Sequence, residues 1–327
     1  MPTIRRIALL DDFQDVGTSV ADWSQLGDVE VVAFTDHLAD PDALVEAVAD
    51  FDAVVAMRER TPLTADLFDR LPRLRLIVST GPGNVAIDVG AANEHGITVC
   101  GTGGVSDNSA TVEMAWALIL ATARSVAAED ARLRAGGWQQ TVGRDLAGHR
   151  LGVIGLGGIG GPVARIGLAF GMDVVAWSEH LDPDAAREQG VTPVDRDELL
   201  RTSDVVTIHL KLSDRTRGLI GAEQLGLMKP DAILVNTSRG PIVDEDALLE
   251  ALQRGSIGGA GLDVYSVEPL AADSPWRDAP RTVLTPHLGY VTEDTLTAMY
   301  RDAVEDVAAY ERGEPVRVFE VEQGSGR

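Results

Sequence analysis

Cysteine is almost absent from this chain of 327 residues. With Cys100 as the single thiol, the chain has no disulfide framework and no cysteine-based metal site. The scattered histidines His37, His95, His149 and His180 show no metal-ligand spacing, so no metal site is predicted. A lone thiol is typical of a reducing compartment, and we expect a cytoplasmic protein.

Long apolar runs and lysine are also scarce. No run of about eighteen apolar residues is present, which predicts no membrane span. Lysine occurs only at Lys211 and Lys229, and the formal net charge is −23. Such a charge argues against nucleic acid or an anionic membrane as a partner. A small molecule is the expected partner instead.

What the chain does contain is a regular alternation of apolar and amphipathic stretches. In the first hundred residues, strands are predicted at 6–10, 30–34, 53–56, 76–79 and 98–99, with helices at 42–50, 65–71 and 88–95. A second series has strands at 151–154, 173–177, 205–208, 232–236, 259–263 and 283–285. This βα alternation predicts parallel sheets. The length of the chain predicts two domains.

Two helical segments link the series. Residues 109–134 predict one long helix, with Trp116 and Trp138 packing on or after it. Residues 292–312 predict a final helix, and residues 316–319 a last strand. If these last elements pack on the first domain, that domain is discontinuous. We therefore predict a substrate domain of residues 1–101 plus 290–327 and a dinucleotide-binding domain of residues 102–289.

The motif GLGGIG marks the start of the second series, between a predicted strand and a helical pattern. Gly155 permits the tight turn, Gly157 lets the backbone approach a pyrophosphate, and Gly160 lets the helix pack on the strand. The helix N-terminus adds free N–H groups and a partial positive charge. The motif predicts a dinucleotide site; the alternative is a tight turn without a ligand.

The acidic residue expected about 20 positions after this turn is replaced. The strand at 173–177 is followed by Ser178 and then Glu179. Serine tolerates a ribose hydroxyl or a 2′-phosphate, whereas Glu179 binds the hydroxyls or repels the phosphate. No arginine adjoins these residues in the sequence. We expect NAD as cofactor, with NADP as the alternative.

Three further motifs, NTSRG, LDVYSVEP and TPHLG, contribute Arg239, Glu268 and His287 after predicted strand ends. An arginine fork binds a carboxylate and polarises the adjacent carbonyl of a 2-keto acid. Histidine is suited to protonate the alkoxide that hydride transfer produces. A carboxylate bound to the second ring nitrogen holds the imidazole. The alternatives are a structural arginine and a loop histidine.

These motifs resemble those of the D-isomer-specific 2-hydroxyacid dehydrogenase family. The similarity also includes IHLKLSDRTRGLI and MKPDAILVNTSRGPIVDED and covers nearly the whole chain. It implies two Rossmann-like, doubly wound α/β domains, a flavodoxin-like substrate domain and an NAD-binding domain, with the active site in the cleft. It also implies a homodimer built through the cofactor domain and an enzyme acting on a 2-keto or 2-hydroxy acid.

The resemblance assigns roles to individual residues. Arg239 binds substrate, His287 is the acid/base and Glu268 is its partner. Cofactor contacts are implied for Gly158, Ile159, Leu210, Thr237, Ser238 and Asp263, with Asp263 near the nicotinamide amide. In the segment STGPG, Pro82 has no N–H to donate to substrate, which leaves Gly81 and Gly83 as donors. Arg58 and Arg60 are either additional substrate cations or a solvated loop pair.

Three other functions remain open. A 3-phosphoglycerate dehydrogenase of the same family is close, although basic residues for a phosphate are not evident. A formate dehydrogenase is disfavoured, because that branch has glutamine where Glu268 stands. The alternative of a different class is a non-catalytic NADH-sensing protein resembling a transcriptional co-repressor.

Overall fold

The computed structural model describes residues 3–103 and 108–320. Its strands are β1 (Arg6–Leu10), β2 (Glu30–Ala33), β3 (Ala53–Ala56), β4 (Leu76–Ser79), β5 (Thr98–Gly101), β6 (Arg150–Ile154), β7 (Asp173–Trp177), β8 (Thr192–Pro193), β9 (Val205–Ile208), β10 (Ile233–Asn236), β11 (Gly259–Leu262) and β12 (Thr282–Leu284). Its α-helices are α1 (Pro41–Val48), α2 (Ala65–Phe68), α3 (Val89–Glu94), α4 (Ser109–Ala123), α5 (Val126–Arg134), α6 (Gly160–Ala169), α7 (Pro183–Glu188), α8 (Arg196–Thr202), α9 (Ala222–Leu227), α10 (Glu245–Arg254) and α11 (Glu293–Glu311).

The chain divides into two compact units. The first comprises Met1–Asp107 and Thr292–Arg327, and the second comprises Asn108–Val291. The first unit is discontinuous because α11 packs against β4 and β5 of its sheet.

The sheet of the first unit is parallel, with strand order β2-β1-β3-β4-β5. This is the flavodoxin-like order, in which the chain reverses direction of winding between β1 and β3. Strands β3 and β4 are buried at every residue. Burial on both faces explains why their sequences are continuous apolar runs without polar alternation.

The sheet of the second unit is also parallel, with order β12-β11-β10-β9-β6-β7-β8. Winding reverses at β6, which lies between β9 and β7. In such sheets ligands bind beyond the carboxyl ends of the strands at this reversal. The prediction of two doubly wound α/β domains is confirmed.

The single long helix predicted over residues 109–134 is wrong. Helices α4 and α5 are separate and bent by 65° at the break. Ser125 between them has a left-handed φ of 53°, and the carbonyl of Ala123 accepts the N–H of Arg144. That bond satisfies an end carbonyl of α4 from outside the helix. No single described helix has the length and apolarity to cross a membrane, although the bent pair passes that test by length and composition.

Side chains on the two sides of this break differ in burial. Trp116 on α4 is buried and stacks on Phe170, with ring centroids 4.9 Å apart, as predicted. Trp138 does not pack, since it is 73% exposed. Helix α5 buries none of its residues. The exposed apolar side chains of this region are Leu120, Val126, Leu133, Trp138 and Val142.

The strand predicted at residues 316–319 is reduced to one isolated antiparallel bridge, between Val318 and Cys100. The Gly101 N–H donates to the carbonyl of Arg317 at 3.0 Å. Arg317 has a φ of 51°, outside the extended region, so the ladder does not continue.

Candidate active site

The glycines of the turn after β6 are required by close backbone contacts. Gly155 has a φ of +98°, and a Cβ there would lie 2.6 Å from the carbonyl oxygen of His209. A Cβ on Gly160 would overlap the carbonyl oxygen of Gly155. Gly157 has no atom within 4 Å of a built Cβ, so its face is open. The turn is therefore closed on the protein side and accessible at Gly157.

Two buried polar atoms near this turn lack partners among the described residues. They are Oγ1 of Thr237, in the loop after β10, and Nδ1 of His209, directly after β9. Buried polar atoms without hydrogen bonds are costly, and a ligand that bonds to them removes the cost. Together with the free N–H groups at the start of α6, they fit a dinucleotide with its phosphates at the turn.

His209 was not identified from the sequence, although it follows a strand end. Its Nε2 lies 2.9 Å from Oγ1 of Thr207. Burial lowers the pKa of His209 to about 4, so the ring is neutral at physiological pH. It offers a hydrogen bond and no charge to a ligand at the turn.

Four other predicted cofactor residues, Gly158, Ile159, Leu210 and Ser238, follow the neighbouring strands β6, β9 and β10. Gly158 and Ile159 form the entry to α6. Leu210 follows His209, and its Cδ2 would lie 2.9 Å from a Cβ on Gly155. The Ser238 hydroxyl donates to the carbonyl of Ile208 at 2.7 Å, which ties the loop after β10 to β9.

Ser178 and Glu179 follow β7, whose last residue, Trp177, accepts the N–H of Gly155 at 2.8 Å. Glu179 is paired with Arg215 from the loop after β9, with Oε2 and Nη1 2.8 Å apart. Sequence inspection found no arginine beside Ser178 and Glu179, because Arg215 is 36 positions away from Glu179. The fold supplies that arginine.

The loops carrying Arg239, Glu268 and His287 follow β10, β11 and β12, which are neighbours in the sheet. The carboxyl ends of parallel neighbours meet at one edge. The first two loops touch closely, because a Cβ on Gly240 would overlap the backbone of Tyr265 and Ser266. The three motifs, although far apart in the sequence, thus lie on neighbouring loops at the same edge of the sheet.

His287 and Glu268 form a close pair. Nδ1 of His287 lies 2.6 Å from Oε2 of Glu268, and the two side chains are 19% and 15% exposed. The other oxygen of Glu268 accepts the N–H of Tyr265 at 2.8 Å, which fixes the carboxylate. Tyr290 contacts the imidazole edge-on, with ring centroids 5.7 Å apart. His287 also has a left-handed φ of 56°, a conformation that histidine adopts more readily than most residues.

Asp263 is fully buried and accepts hydrogen bonds from the loop that carries His287. One oxygen accepts the Thr285 hydroxyl at 2.6 Å and the Leu288 N–H at 2.7 Å, and the other accepts the Gly289 N–H at 2.8 Å. Burial raises the pKa of Asp263 above its usual range, with these donors opposing the shift. The described hydrogen bonds of its side chain are all with this loop, and the nicotinamide contact stays a prediction.

Arg239 is half-buried and belongs to a braced loop. The Asn236 side chain donates to the carbonyl of Arg239 at 2.9 Å and accepts the N–H of Ser238 at 3.0 Å. The guanidinium donates to the carbonyl of Ser238 at 2.7 Å. Asn236 is thus a supporting residue that the motif contained and the sequence reasoning did not single out.

In the first unit, the loops after β3 and β4 contain Arg58, Gly81 and Gly83. Gly81 has a φ of +143°, and a Cβ there would lie 3.0 Å from Cδ of Arg58. Its N–H already donates to the carbonyl of Ser79 at 2.9 Å. The N–H of Gly83 has no acceptor among the described protein residues.

The two arginines after β3 differ. Arg58 is 43% exposed and lies 3.3 Å from a carboxylate oxygen of Glu59. Arg60 is buried. The alternative of a solvated arginine pair is therefore wrong for Arg60.

Comparison with known proteins identifies the family and several similar chains. Residues 116–289 match the family model described as D-isomer specific 2-hydroxyacid dehydrogenase, NAD binding domain. A glyoxylate reductase from Korarchaeum cryptofilum is 39% identical over 277 residues, 83% of each chain. One from Aeropyrum pernix is 42% identical over 260 residues, 77% of each chain. The structure of a phosphoglycerate oxidoreductase from Vibrio cholerae superposes with a TM-score of 0.90 at 36% identity, covering 95% of this chain and 100% of the other.

Proposed function

We propose roles for individual side chains on the premise that this chain belongs to the D-isomer specific 2-hydroxyacid dehydrogenase family. It is an oxidoreductase that transfers hydride between NAD(P)H and the C2 carbonyl of a 2-keto acid. The observation that carries the residue roles is the 2.6 Å contact between His287 and Glu268 in a loop cluster that includes Arg239.

Arg239 anchors the substrate. Its planar fork donates to the carboxylate and to the adjacent carbonyl oxygen, which polarises the bond to be reduced. The Asn236 side chain holds the backbone of Ser238 and Arg239, which fixes the loop that carries the guanidinium. Arg58 and the N–H of Gly83 are proposed as substrate-binding groups of the first unit; the Gly81 N–H is already bonded to Ser79.

His287 is the acid in reduction and the base in oxidation. Nδ1 faces Glu268, so Nε2 is the atom that gives its proton to the new alkoxide oxygen. Glu268 fixes this tautomer and stabilises the imidazolium by its negative charge. The bound nicotinamide supplies the hydride. Asp263 sets the position of His287 by holding the backbone of the two following residues.

The substrate is a small 2-keto acid of the glyoxylate class. Support comes from the glyoxylate reductases among the relatives, which match most of the chain. The alternative is 3-phosphoglycerate, since two relatives and a similar structure are named for phosphoglycerate.

The test is oxidation of NADH and NADPH with glyoxylate, pyruvate, hydroxypyruvate, phenylpyruvate, 2-ketoisocaproate and oxaloacetate, and oxidation of 3-phosphoglycerate in the reverse direction. We expect turnover with a small keto acid that His287→Ala reduces by at least ~10²-fold, the low end for loss of a general acid. Tight NADH binding without turnover on any compound would favour the NADH-sensing alternative.

We also propose a homodimer built through the second unit. Support comes from the exposed apolar side chains on and around α5, among them Trp138 and Val142, because large exposed apolar side chains concentrated in one region are typical of association sites. Light scattering should give twice the mass of the 34.7 kDa chain, and Trp138→Lys with Val142→Asp should give a monomer. A monomeric wild-type protein would refute the proposal.

The proposed location is the cytoplasm, since the single thiol, Cys100, is buried and unpaired. With a net charge of −23, nucleic acid and anionic membranes are not proposed as partners. Cell fractionation with an antibody to the chain tests the location, and recovery in a membrane or nucleoid fraction would contradict it.

A further inference from the structure

The loops after β7 and β9 are joined by an ion pair between Glu179 and Arg215. Strand β6 lies between β9 and β7 in the sheet, so this pair connects the two loops that flank the glycine turn. Nε2 of His180 lies 3.5 Å from the same nitrogen of Arg215. A guanidinium and an imidazole therefore stand together just beyond the carboxyl end of β7.

This position has a defined chemical task in dinucleotide-binding sheets. A carboxylate at the end of the second strand binds the 2′-hydroxyl of the NAD ribose, whereas an arginine nearby accommodates the 2′-phosphate of NADP. Here Ser178 occupies the strand end and has no charge. A carboxylate and a guanidinium both lie just beyond it, those of Glu179 and Arg215.

We propose that Arg215 is the ligand of the 2′-phosphate of NADPH, and that Glu179 opposes it by binding the ribose hydroxyl of NADH. The ion pair between them then sets the cofactor preference, and the protein accepts both cofactors. This inference rests on the proposed function only in that the glycine turn binds a nicotinamide dinucleotide.

Either side chain of the Glu179–Arg215 pair is accessible to a ligand. Both side chains are largely exposed, 66% for Arg215 and 57% for Glu179, and an exposed ion pair contributes little to stability. The contact uses Oε2 of Glu179, while Oε1 has no hydrogen bond to the described residues. NADH thus binds Glu179 with the pair intact.

Arg215 can exchange the carboxylate for a phosphate. The guanidinium has five N–H donors, and its contact with Glu179 is made through Nη1. Arginine binds phosphate in a bidentate manner, which is stronger than a single contact with an exposed carboxylate. The Ser178 side chain, small and uncharged, does not repel the phosphate.

The experiment measures dissociation constants for NADH and NADPH by nucleotide fluorescence, without substrate, on wild type, Arg215→Gln and Glu179→Gln. The matched control is Arg201→Gln. Arg201 also pairs with a carboxylate, that of Asp197. It lies near the C-terminus of α8, just before β9 begins, and therefore at the amino ends of the strands, away from the glycine turn.

We expect wild type to bind both cofactors. Arg215→Gln should weaken NADPH by about tenfold or more, the size expected for loss of a hydrogen bond to a charged group, and NADH by less than about twofold. Glu179→Gln should tighten NADPH and weaken NADH. Arg201→Gln should change neither.

The proposal is overturned if wild type does not bind NADPH, if Arg215→Gln leaves NADPH binding unchanged, or if it weakens both cofactors equally. Because no substrate is present, these results are independent of the proposed reaction. Selective loss of NADPH binding in a protein that reduces no keto acid would uphold this inference and refute the proposed function.

Discussion

The Nδ1 atom of His287 lies 2.6 Å from a carboxylate oxygen of Glu268 whose other oxygen is held by the backbone N–H of Tyr265. The carboxylate therefore has little freedom to turn away from the ring. A fixed carboxylate on one nitrogen leaves the other nitrogen available for proton transfer.

Glu268→Gln removes the charge and keeps the shape. We expect kcat for keto-acid reduction to fall by about 10- to 10²-fold, because a hydrogen bond to a charged group contributes about 1.5–3 kcal/mol. KM should change little, since Glu268 does not touch the substrate. Glu245→Gln is the control, because Glu245 holds the N–H of Ser266 in the same loop without reaching His287. Equal effects of the two variants would assign Glu268 a structural role only.

Arg239→Lys keeps the charge and loses the planar fork. We expect kcat/KM for the keto acid to fall by about 10- to 10²-fold through both constants, because two directed hydrogen bonds become a single flexible one. Binding of NADH should be unchanged. Arg277→Lys, on an exposed arginine of the same unit that donates to the carbonyls of Leu270 and Ala271, is the control. Unaltered kcat/KM would remove Arg239 from the substrate site.

Asp263→Asn tests how the His287 loop is held. The amide of asparagine would face a backbone N–H or the Thr285 hydroxyl where an acceptor is now present, and a buried donor left without a partner costs about 1–3 kcal/mol. We expect the free energy of unfolding to fall by that amount and kcat to fall with it. Urea denaturation and steady-state kinetics measure the two effects. Wild-type stability with reduced kcat would instead indicate direct contact with cofactor.

Gly157→Ala separates the cofactor contact from folding. Nothing lies within 4 Å of a Cβ at this position, so the melting temperature should stay unchanged. The methyl group faces the proposed pyrophosphate site, and we expect NADH binding to weaken by about tenfold or more. Gly226→Ala, equally open but on α9, should leave NADH binding unchanged and should not lower the melting temperature, because alanine favours a helix over glycine. Undiminished NADH binding by Gly157→Ala would place the pyrophosphate elsewhere.

The sequence predicted the fold well because buried parallel strands leave a strong signal. Apolar runs such as Ala53–Ala56 and Val205–Ile208 were located to the residue. The break near Ser125 left no such signal, since the residues on both sides are good helix formers. It depends on a distant N–H, that of Arg144. Tertiary contact overrides local propensity at this point.

The residues of the candidate site could be predicted where a short sequence motif contains the reactive side chain. Arg239, Glu268 and His287 follow strand ends, and parallel strand ends meet at one edge. Arg215 and His209 were missed for different reasons. Arg215 reaches Glu179 across two loops, and His209 becomes noticeable only when burial leaves its Nδ1 without a partner among the described residues.

Asp306 gives the first unit a dependence of stability on pH. It is fully buried on α11, with Oδ1 accepting from Arg317 at 3.0 Å and Oδ2 without a partner among the described residues. Burial raises its pKa to about 7 from 3.8, aided by the carboxylates of Asp302 and Glu305 and opposed by Arg317. Between these values the folded protein binds the proton more tightly than the unfolded chain, so stability from this group falls as pH rises from about 4 to about 7 and is constant above.

Asp306→Asn removes this dependence. The unfolding free energy of wild type minus that of the variant should therefore decrease across the same interval, by roughly 4 kcal/mol at most, about 1.4 kcal/mol for each pH unit. Urea denaturation between about pH 4.5 and 8 measures the difference, in which the other titrating groups cancel. A difference that stays constant with pH would mean that the buried carboxylate is ionised throughout, with Arg317 outweighing the cost of burial.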